Sequence, residues 1–317
     1  MKKTLKNRLL SVIICVALFV CLIPAGIFAT DTYSDTNGHW AEASIERWSN
    51  LGVIQGNNGK FMPNDNMRRC DAAIVLSKLF GYQKTSDEKF KDVAATAYYA
   101  DAVSKARFAG SMNGTGENKF SPTASITRQE VATLICNLLN LQPSETCVYT
   151  FKDDAKIAAW AKGNVYAAAN AGYMVGYDNR VNPTANITRA EFVTVFDKIF
   201  KEVVVGTELA KDIDGGVLVT KSGSVLKNMT IKGDLVIAEG VGDGDVTLDG
   251  VKVLGNTIVR GGGENSIHIK GDSNIGNVVL AQKGNGIRLE VTGNAVVGAV
   301  QVSAAGGAVK IEGKVET

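Results

Sequence analysis

Two periodicities divide the chain. From Tyr33 to about Lys201 apolar residues recur at helical spacing, and beyond Val203 short runs alternate apolar with polar. The clearest helical run is Phe192, Val193, Val195, Phe196, Ile199 and Phe200. It opens on Ile187-Thr188-Arg189-Ala190-Glu191, after the turn Asn182-Pro183-Thr184. Thr188 followed three residues later by Glu191 is a capping box. The hydroxyl takes a free amide of the first turn, and the carboxylate reaches back to the Thr amide. Arg189 then stands in that first turn, where amides and macrodipole favour an anion.

This stretch has two relatives, Met67-Arg68-Arg69-Cys70-Asp71 and Ile126-Thr127-Arg128-Gln129-Glu130, so its arginines step by 59 and 61 residues. Ahead of each comes an apolar residue and a proline: Phe61 with Pro63, Phe120 with Pro122, Val181 with Pro183. Further back stand the glycine pairs Gly52 and Gly56, Gly110 and Gly114, Gly172 and Gly176. Each pair follows a helical run: Trp40 to Leu51, Tyr98 to Ala109, Trp160 to Ala171. Each run follows an aromatic and an aspartate two apart: Tyr33 and Asp35, Phe90 and Asp92, Phe151 and Asp153. One unit therefore reads as a loop with Asp, a helix, a glycine turn, a proline turn and a capped helix. Two short helices cannot bury their apolar faces alone, so the units 30–85, 86–146 and 147–202 should pack on one another. Three of them allow a closed pseudo-threefold cluster.

The unit resembles the S-layer homology (SLH) module. The pattern aromatic-x-Asp, Trp, Gly-x3-Gly, Phe-x-Pro, Thr-Arg-Ala-Glu is matched fully in its last part by Thr188-Arg189-Ala190-Glu191 and nearly by Thr127-Arg128-Gln129-Glu130. The resemblance implies a three-pronged helical domain. It also implies binding to a peptidoglycan-linked secondary cell wall polysaccharide, typically carrying pyruvate ketals, in Gram-positive-type walls. A ketal pyruvate is a small carboxylate, which an Arg can hold by a charge-assisted bond. The ligand roles carry over to Arg69, Arg128 and Arg189, to Asp35, Asp92 and Asp153, and to Gly56, Gly114 and Gly176. The aspartates could instead cap the following helices. Trp40, Tyr98 and Trp160 offer flat faces to a pyranose, or pack inside the unit. The first unit departs from the pattern: Arg68 replaces the Thr and Asp71 the Glu, with Asn66 or Asp65 left to cap. That departure marks the first site as the one to doubt. The second unit has Tyr98 where the others have Trp.

After residue 203 there is no proline, and Gly, Val and Ile abound. Met229-Thr230-Ile231, Val246-Thr247-Leu248, Val251-Lys252-Val253, Ile267-His268-Ile269, Ile287-Arg288-Leu289 and Val309-Lys310-Ile311 read as strands. Gly233, Gly255, Gly276 and Gly298 are 22, 21 and 22 residues apart. Such near-constant spacing predicts a parallel β-solenoid over 203–317, of about five coils, with a β-sandwich as runner-up. The last residues run in register with a further coil, an edge open to stacking and self-association. Asp243, Asp245, Asp249, Glu264 and Asp272 are acids near the coil corners, where such residues make turns. In a β-helix enzyme they would be catalytic carboxylates. His268 should face opposite to Ile267 and Ile269.

The remaining composition narrows the setting. Lys2, Lys3, Lys6 and Arg8, the apolar run Leu9 to Ile23 and Ala29 read as a secretory leader over 1–29, too short for a confident membrane span. Without its four cations, the 34 basic residues fall to 30 against 32 acidic ones, leaving about −2 and no nucleic-acid footprint. Cys70, Cys136 and Cys147 form neither a disulfide framework nor a metal site. Cys136 reads as core, with a Cys136–Cys147 disulfide left open. No cofactor is expected, and no membrane span in the mature chain. The whole is a multi-domain chain, a pseudo-threefold helical SLH trimer followed by an all-β solenoid. Its expected role is that of a secreted, non-enzymatic cell-surface protein held to the wall by its repeats. The alternative is a wall-anchored carbohydrate-active enzyme with the β-helix as catalytic domain.

Overall fold

The computed structural model describes residues 33–264, 266–283, 286–303 and 308–315, so the leader expected at 1–29 lies outside the described residues. Six helices fill the N-terminal half: α1 (Glu42–Asn50), α2 (Arg69–Phe80), α3 (Ala100–Ala109), α4 (Arg128–Leu139), α5 (Lys162–Asn170) and α6 (Arg189–Ile199). The second helix of each unit packs on the first helix of the next. Thus α2 meets α3, α4 meets α5, and α6 returns to α1. Between α6 and α1, Asp197 accepts from Arg47 at 2.6 Å and from Ser44 at 3.1 Å.

The ring closes through backbone. Met67 N donates to Ile187 O, Ile126 N to Met67 O and Ile187 N to Ile126 O, at 2.9, 2.9 and 3.0 Å. Three equivalent residues, all fully buried, thus bond one another in a cycle about a pseudo-threefold axis. A second cycle surrounds it. The amides of Arg69 and Cys70 reach Ala124 O and Pro122 O; those of Arg128 and Gln129 reach Ala185 O and Pro183 O; those of Arg189 and Ala190 reach Asp65 O and Pro63 O. Each proline turn therefore caps the helix of the preceding repeat, satisfying donors that a helix start leaves orphaned. Neither Asn66 nor Asp65 caps α2 through its side chain, because the neighbouring turn already does so. Trp48, Phe61, Phe80, Phe120, Phe192 and Phe196 fill the ring's interior.

Helix α6 runs directly into β1 (Phe200–Val204) with no intervening linker. Ten more strands follow: β2 (Glu208–Leu209), β3 (Gly216–Val219), β4 (Ser224–Ile231), β5 (Leu235–Ile237), β6 (Val246–Val259), β7 (Ile267–Lys270), β8 (Asn274–Leu280), β9 (Ile287–Val291), β10 (Val296–Val302) and β11 (Val309–Glu312). Every pairing between these strands is parallel, which removes the sandwich alternative. The solenoid makes about four turns, fewer than the five expected from spacing. Its first face stacks β2, the start of β4, the start of β6, β7, β9 and β11. Its second stacks the ends of β4, the middle of β6 and the starts of β8 and β10. Its third stacks β1, β3, β5 and the ends of β6, β8 and β10.

The third face is buried on both sides. Val217, Val219, Leu235, Ile237 and Val259 point into the solenoid core. Leu218, Val236, Ile258 and Val279, in register one above another, join the core of the helical ring instead. One polar residue pins this junction. The Arg260 guanidinium donates from Nε to Glu239 at 2.8 Å, from Nη1 to Asn137 O and Leu138 O at 3.2 and 3.3 Å, and from Nη2 to Ala109 O at 2.8 Å. Those carbonyls end α4 and α3, so a solenoid cation caps two helix C-termini, the ends that favour positive charge. Burial raises the Glu239 carboxyl, and Arg260 opposes that shift.

Candidate functional site

Two of the gaps between repeats are lined by residues of all three. The first repeat sends Arg69 into a gap lined by Gly114 and Glu130 of the second and Trp160 of the third, with a volume of about 200 Å³. The second sends Arg128 towards Gly176 and Glu191 of the third and Trp40 of the first, around about 480 Å³. The third sends Arg189 towards the loop of the first, where it bonds Phe61 O and Gln55 O at 2.9 and 3.0 Å.

The arginines are held from within. Arg69 donates to Phe120 O at 2.8 Å, Asn113 O at 3.0 Å and Glu130 Oε1 at 2.6 Å, and its side chain is only 6% exposed. Burial pulls its pKa down, with Glu130 opposing. Arg128 donates to Val181 O at 2.9 Å and to Glu191 Oε1 at 3.1 Å. The glutamates do two jobs at once. Glu130 Oε2 accepts from Thr127 N and Glu191 Oε2 from Thr188 N, which closes the capping boxes, while each Oε1 faces the arginine of the preceding repeat. The first-turn amides at the helix starts are likewise spent on the proline turns. These helix mouths thus carry their own acceptors.

The aspartates bind loop amides. Asp35 accepts from Phe61 N and Met62 N, Asp92 from Phe120 N and Ser121 N, and Asp153 from Val181 N and Asn182 N, all at 2.7–3.0 Å. None of the three caps a following helix; each clamps the loop before the proline turn. Burial works to raise the Asp35 and Asp92 carboxyls, but those amides outweigh it and hold both below the usual carboxylate range. Gly176 lies at φ +74°, where an added Cβ would stand 2.1 Å from Arg180 O, so a glycine is needed for the Tyr177–Arg180 bridge. Gly56 and Gly114 meet Lys60 O and Lys119 O in the same way.

The aromatic positions do not pack inward. Trp40 is 65% exposed, Tyr98 67% and Trp160 60%, and Tyr177, beside Gly176, is 86% exposed. The third groove differs from the other two. Asp71, one methylene shorter than Glu130 and Glu191, takes Arg68 Nε at 2.7 Å and Tyr98 Oη at 3.1 Å, and Arg68 Nη2 also donates to Tyr98 Oη at 3.0 Å. Departures in two separate repeats therefore meet in one place. That place is the groove of Arg189, whose own motif is the best preserved. Glu130 and Glu191 were visible in the sequence only as caps. Tyr177 and Lys198, which also line the Arg128 groove, carried no motif signal.

Elsewhere the solenoid acids are paired with neighbouring polar side chains. Asp249 is 3.7 Å from Lys270 Nζ, Asp245 is 3.8 Å from His268 Nε2, and Asp272 accepts from Asn294 at 3.0 Å. His268 lies half-buried between the buried Ile267 and Ile269 and meets Glu290 at 2.5 Å. Cys70, Cys136 and Cys147 are free thiols, so the Cys136–Cys147 disulfide left open above does not form. Among the described residues no group of His, Cys, Asp and Glu is arranged to hold a metal, and no helix is long and apolar enough to cross a membrane.

Residues 32–73, 89–132 and 150–193 each match the family described as S-layer homology domain. The chain is 30% identical over 169 residues to the Surface-layer 125 kDa protein of Lysinibacillus sphaericus, covering 52% of this chain and 14% of that one. It is 28% identical over 252 residues to an S-layer protein of Bacillus licheniformis, covering 70% of this chain and 28% of that one. It is also 30% identical over 171 residues to the amylopullulanase of Thermoanaerobacterium thermosulfurigenes, covering 52% of this chain and 9% of that one. The chain thus spans less than a third of the length of these relatives.

Proposed function

The chain carries three S-layer homology domains set on a parallel β-solenoid, and from that premise we propose a cell-surface protein anchored without covalent bonds to a Gram-positive-type wall. The proposed ligand is a secondary wall polysaccharide bearing pyruvate ketals. The observation that supports this is the pair of open grooves with outward-facing indoles, Trp160 over one and Trp40 over the other. An exposed indole in a concave, partly polar groove suits the apolar face of a pyranose. In this reading the indoles hold the sugar. Asp35, Asp92 and Asp153 and the turns at Gly56, Gly114 and Gly176 shape the loops. Arg69, Arg128 and Arg189 brace the grooves from behind, with contact to sugar oxygens secondary to that bracing.

The solenoid acts as a pedestal. Its third face is committed to the helical ring, so its first and second faces are what it displays to partners or to further copies. The enzymatic alternative draws on relatives such as the amylopullulanase, but it needs free convergent carboxylates, and the solenoid acids that come together, Asp245 and Glu290 about His268 and Glu290 and Glu312 about Arg288, are already paired with those side chains. Incubating the protein with acidic polysaccharides, and detecting cleavage lost in Asp249→Ala, would overturn the non-catalytic reading.

The anchoring test is co-sedimentation with purified walls, before and after mild acid removal of pyruvyl groups. Binding should fall sharply after the acid step, and Trp40→Ala with Trp160→Ala should weaken it further. Absence of binding to untreated walls removes the anchoring role. Equal binding to both preparations removes the pyruvate requirement.

A further inference from the structure

The joint between helical ring and solenoid encloses a cavity of about 90 Å³ that shares no residue with the two grooves. Tyr82 and Lys84, just after α2, and Lys105 of α3 line it from the ring. Glu239, Arg260 and Gln282 line it from the solenoid, where they follow β5, β6 and β8 on three successive coils. Polar atoms in this lining are left without partners. Glu239 Oε1 takes Arg260 Nε at 2.8 Å, but Glu239 Oε2 is buried and accepts nothing among the described residues. Gln282 Nε2 donates to Gly262 O at 2.5 Å, but Gln282 Oε1 is buried and accepts nothing either. The Tyr82 hydroxyl is a third such group, and Tyr82 and Gln282 are only 5% and 8% exposed. A protein gives up stability for every buried polar atom it leaves unpaired. Three of them around one cavity point to a ligand that pairs them.

The charges define that ligand further. Lys84, Lys105, Lys283 and Arg260 stand against Glu239 and Asp243, which leaves the lining two units positive. Asp101, outside the lining, offsets one of these through Lys105 at 2.7 Å. Burial and then Arg260 pull the Lys283 pKa down, a crowding of cations that an anion relieves. The same crowding disfavours a metal ion or an ammonium. Yet Glu239 Oε2 and Gln282 Oε1 are acceptors, so the ligand must also bring donors. Neutral hydroxyls supply them without adding positive charge. At about 90 Å³, against about 480 Å³ for the Arg128 groove, the cavity suits a short chain rather than a sugar ring.

We propose that this cavity is a binding site for a small polyol phosphate. The hydroxyls of the ligand donate to Glu239 Oε2 and Gln282 Oε1, and the Tyr82 hydroxyl meets a third oxygen. The phosphate lies against Lys283. Inorganic phosphate alone leaves the inner acceptors unpaired, and a neutral polyol leaves the cations unanswered. Since the lining comes from both halves of the protein, an occupied site also ties ring to solenoid and raises the melting temperature.

The experiment is calorimetric titration of the chain without its leader, using glycerol 3-phosphate, glycerol and inorganic phosphate. Glycerol 3-phosphate should bind at least about tenfold more tightly than either part. Lys283→Gln should weaken it about tenfold, the loss of one charge-assisted bond. Tyr82→Phe should weaken it about fivefold, yet leave the melting temperature of the free protein unchanged or higher, because the hydroxyl bonds nothing within the protein. A hydroxyl that served only the fold would lower the melting temperature and leave binding alone. A glycerol phosphate oligomer, titrated in parallel, separates two sources of the same chemistry. Tighter binding of the oligomer assigns the site to a polymer end and tighter binding of the monomer to a free polyol phosphate, and either upholds the site. No binding of monomer or oligomer, inorganic phosphate binding as well as glycerol 3-phosphate, or wild-type affinity in both variants overturns it.

Discussion

Replacing Arg260 by methionine removes one guanidinium that serves a carboxylate and two helix ends together. The bonds lost run to Glu239, to Asn137 O and Leu138 O at the end of α4, and to Ala109 O at the end of α3. Methionine restores much of the apolar volume, so the cost is chiefly the stranded polar groups. Breaking a buried ion pair by removing one partner costs about 3–5 kcal/mol. The orphaned carbonyls share that loss rather than adding to it, because all hang on one side chain. With the helices and solenoid sharing one core, the wild type should unfold in a single calorimetric transition. At about 2–4 °C per kcal/mol for a protein of this size, Arg260→Met should lower the melting temperature by about 6–20 °C. Adding Glu239→Gln removes the stranded charge, and should recover about 1–2 kcal/mol of the loss. A drop below about 2 °C, or a double variant no better than the single, would refute the reasoning. Two resolved transitions in the wild type would show that the junction does not couple the halves.

Other predictions concern the loops and thiols. Asp35 and Asp92 have folded pKa values below their unfolded ones, so the stability they confer is complete above about pH 4 and is lost as pH falls through the lower folded values. Melting temperature should therefore be flat from about pH 7 to 5 and fall below about pH 4, and Asp35→Asn should shrink that fall; a curve level to pH 2 would argue against the clamps. Gly176→Ala puts a Cβ 2.1 Å from Arg180 O at a positive φ, and should cost more than about 1 kcal/mol in chemical denaturation. Of Cys70, Cys136 and Cys147, native protein should react promptly with a chromogenic disulfide only at Cys147, since Cys70 and Cys136 are buried and burial pushes Cys136 up to about 12. Unfolding should bring all three of these into reaction; loss of Cys136 and Cys147 from the reactive set after unfolding would instead mean a disulfide.

The three repeats were legible because their motif residues recur at near-constant spacing. Each capping box, proline turn and glycine hairpin is itself a signature only a few residues long. Partnerships across repeats were not legible: Arg69 and Glu130 are 61 residues apart and looked like members of separate helix starts. The same distance hid the joint effect of Arg68, Asp71 and Tyr98, which as separate departures cast doubt on the first site but in space alter the groove of Arg189. Alternation revealed the first two faces of the solenoid, since each has one wet side. It missed Gly216–Val219 and Leu235–Ile237, where burial on both sides erases the polar half of the pattern. Arg260 gave no signal at all, being one basic residue between Val259 and Gly261 in a region read as free-standing.

The hydrogen-bond cycle of Met67, Ile126 and Ile187 has a temporal consequence. Its first and last members are about 120 residues apart, so closure is a long-range event that follows synthesis of all three units. For a chain made amino terminus first, the Arg69 and Arg128 grooves do not exist until the third unit is made, because each borrows a wall from every unit. The grooves are then completed together, late, rather than one repeat at a time. The cycle also counts. A fourth unit spliced in by duplication would have no partner in a closed triangle, so gain or loss of a single unit breaks the ring instead of lengthening it.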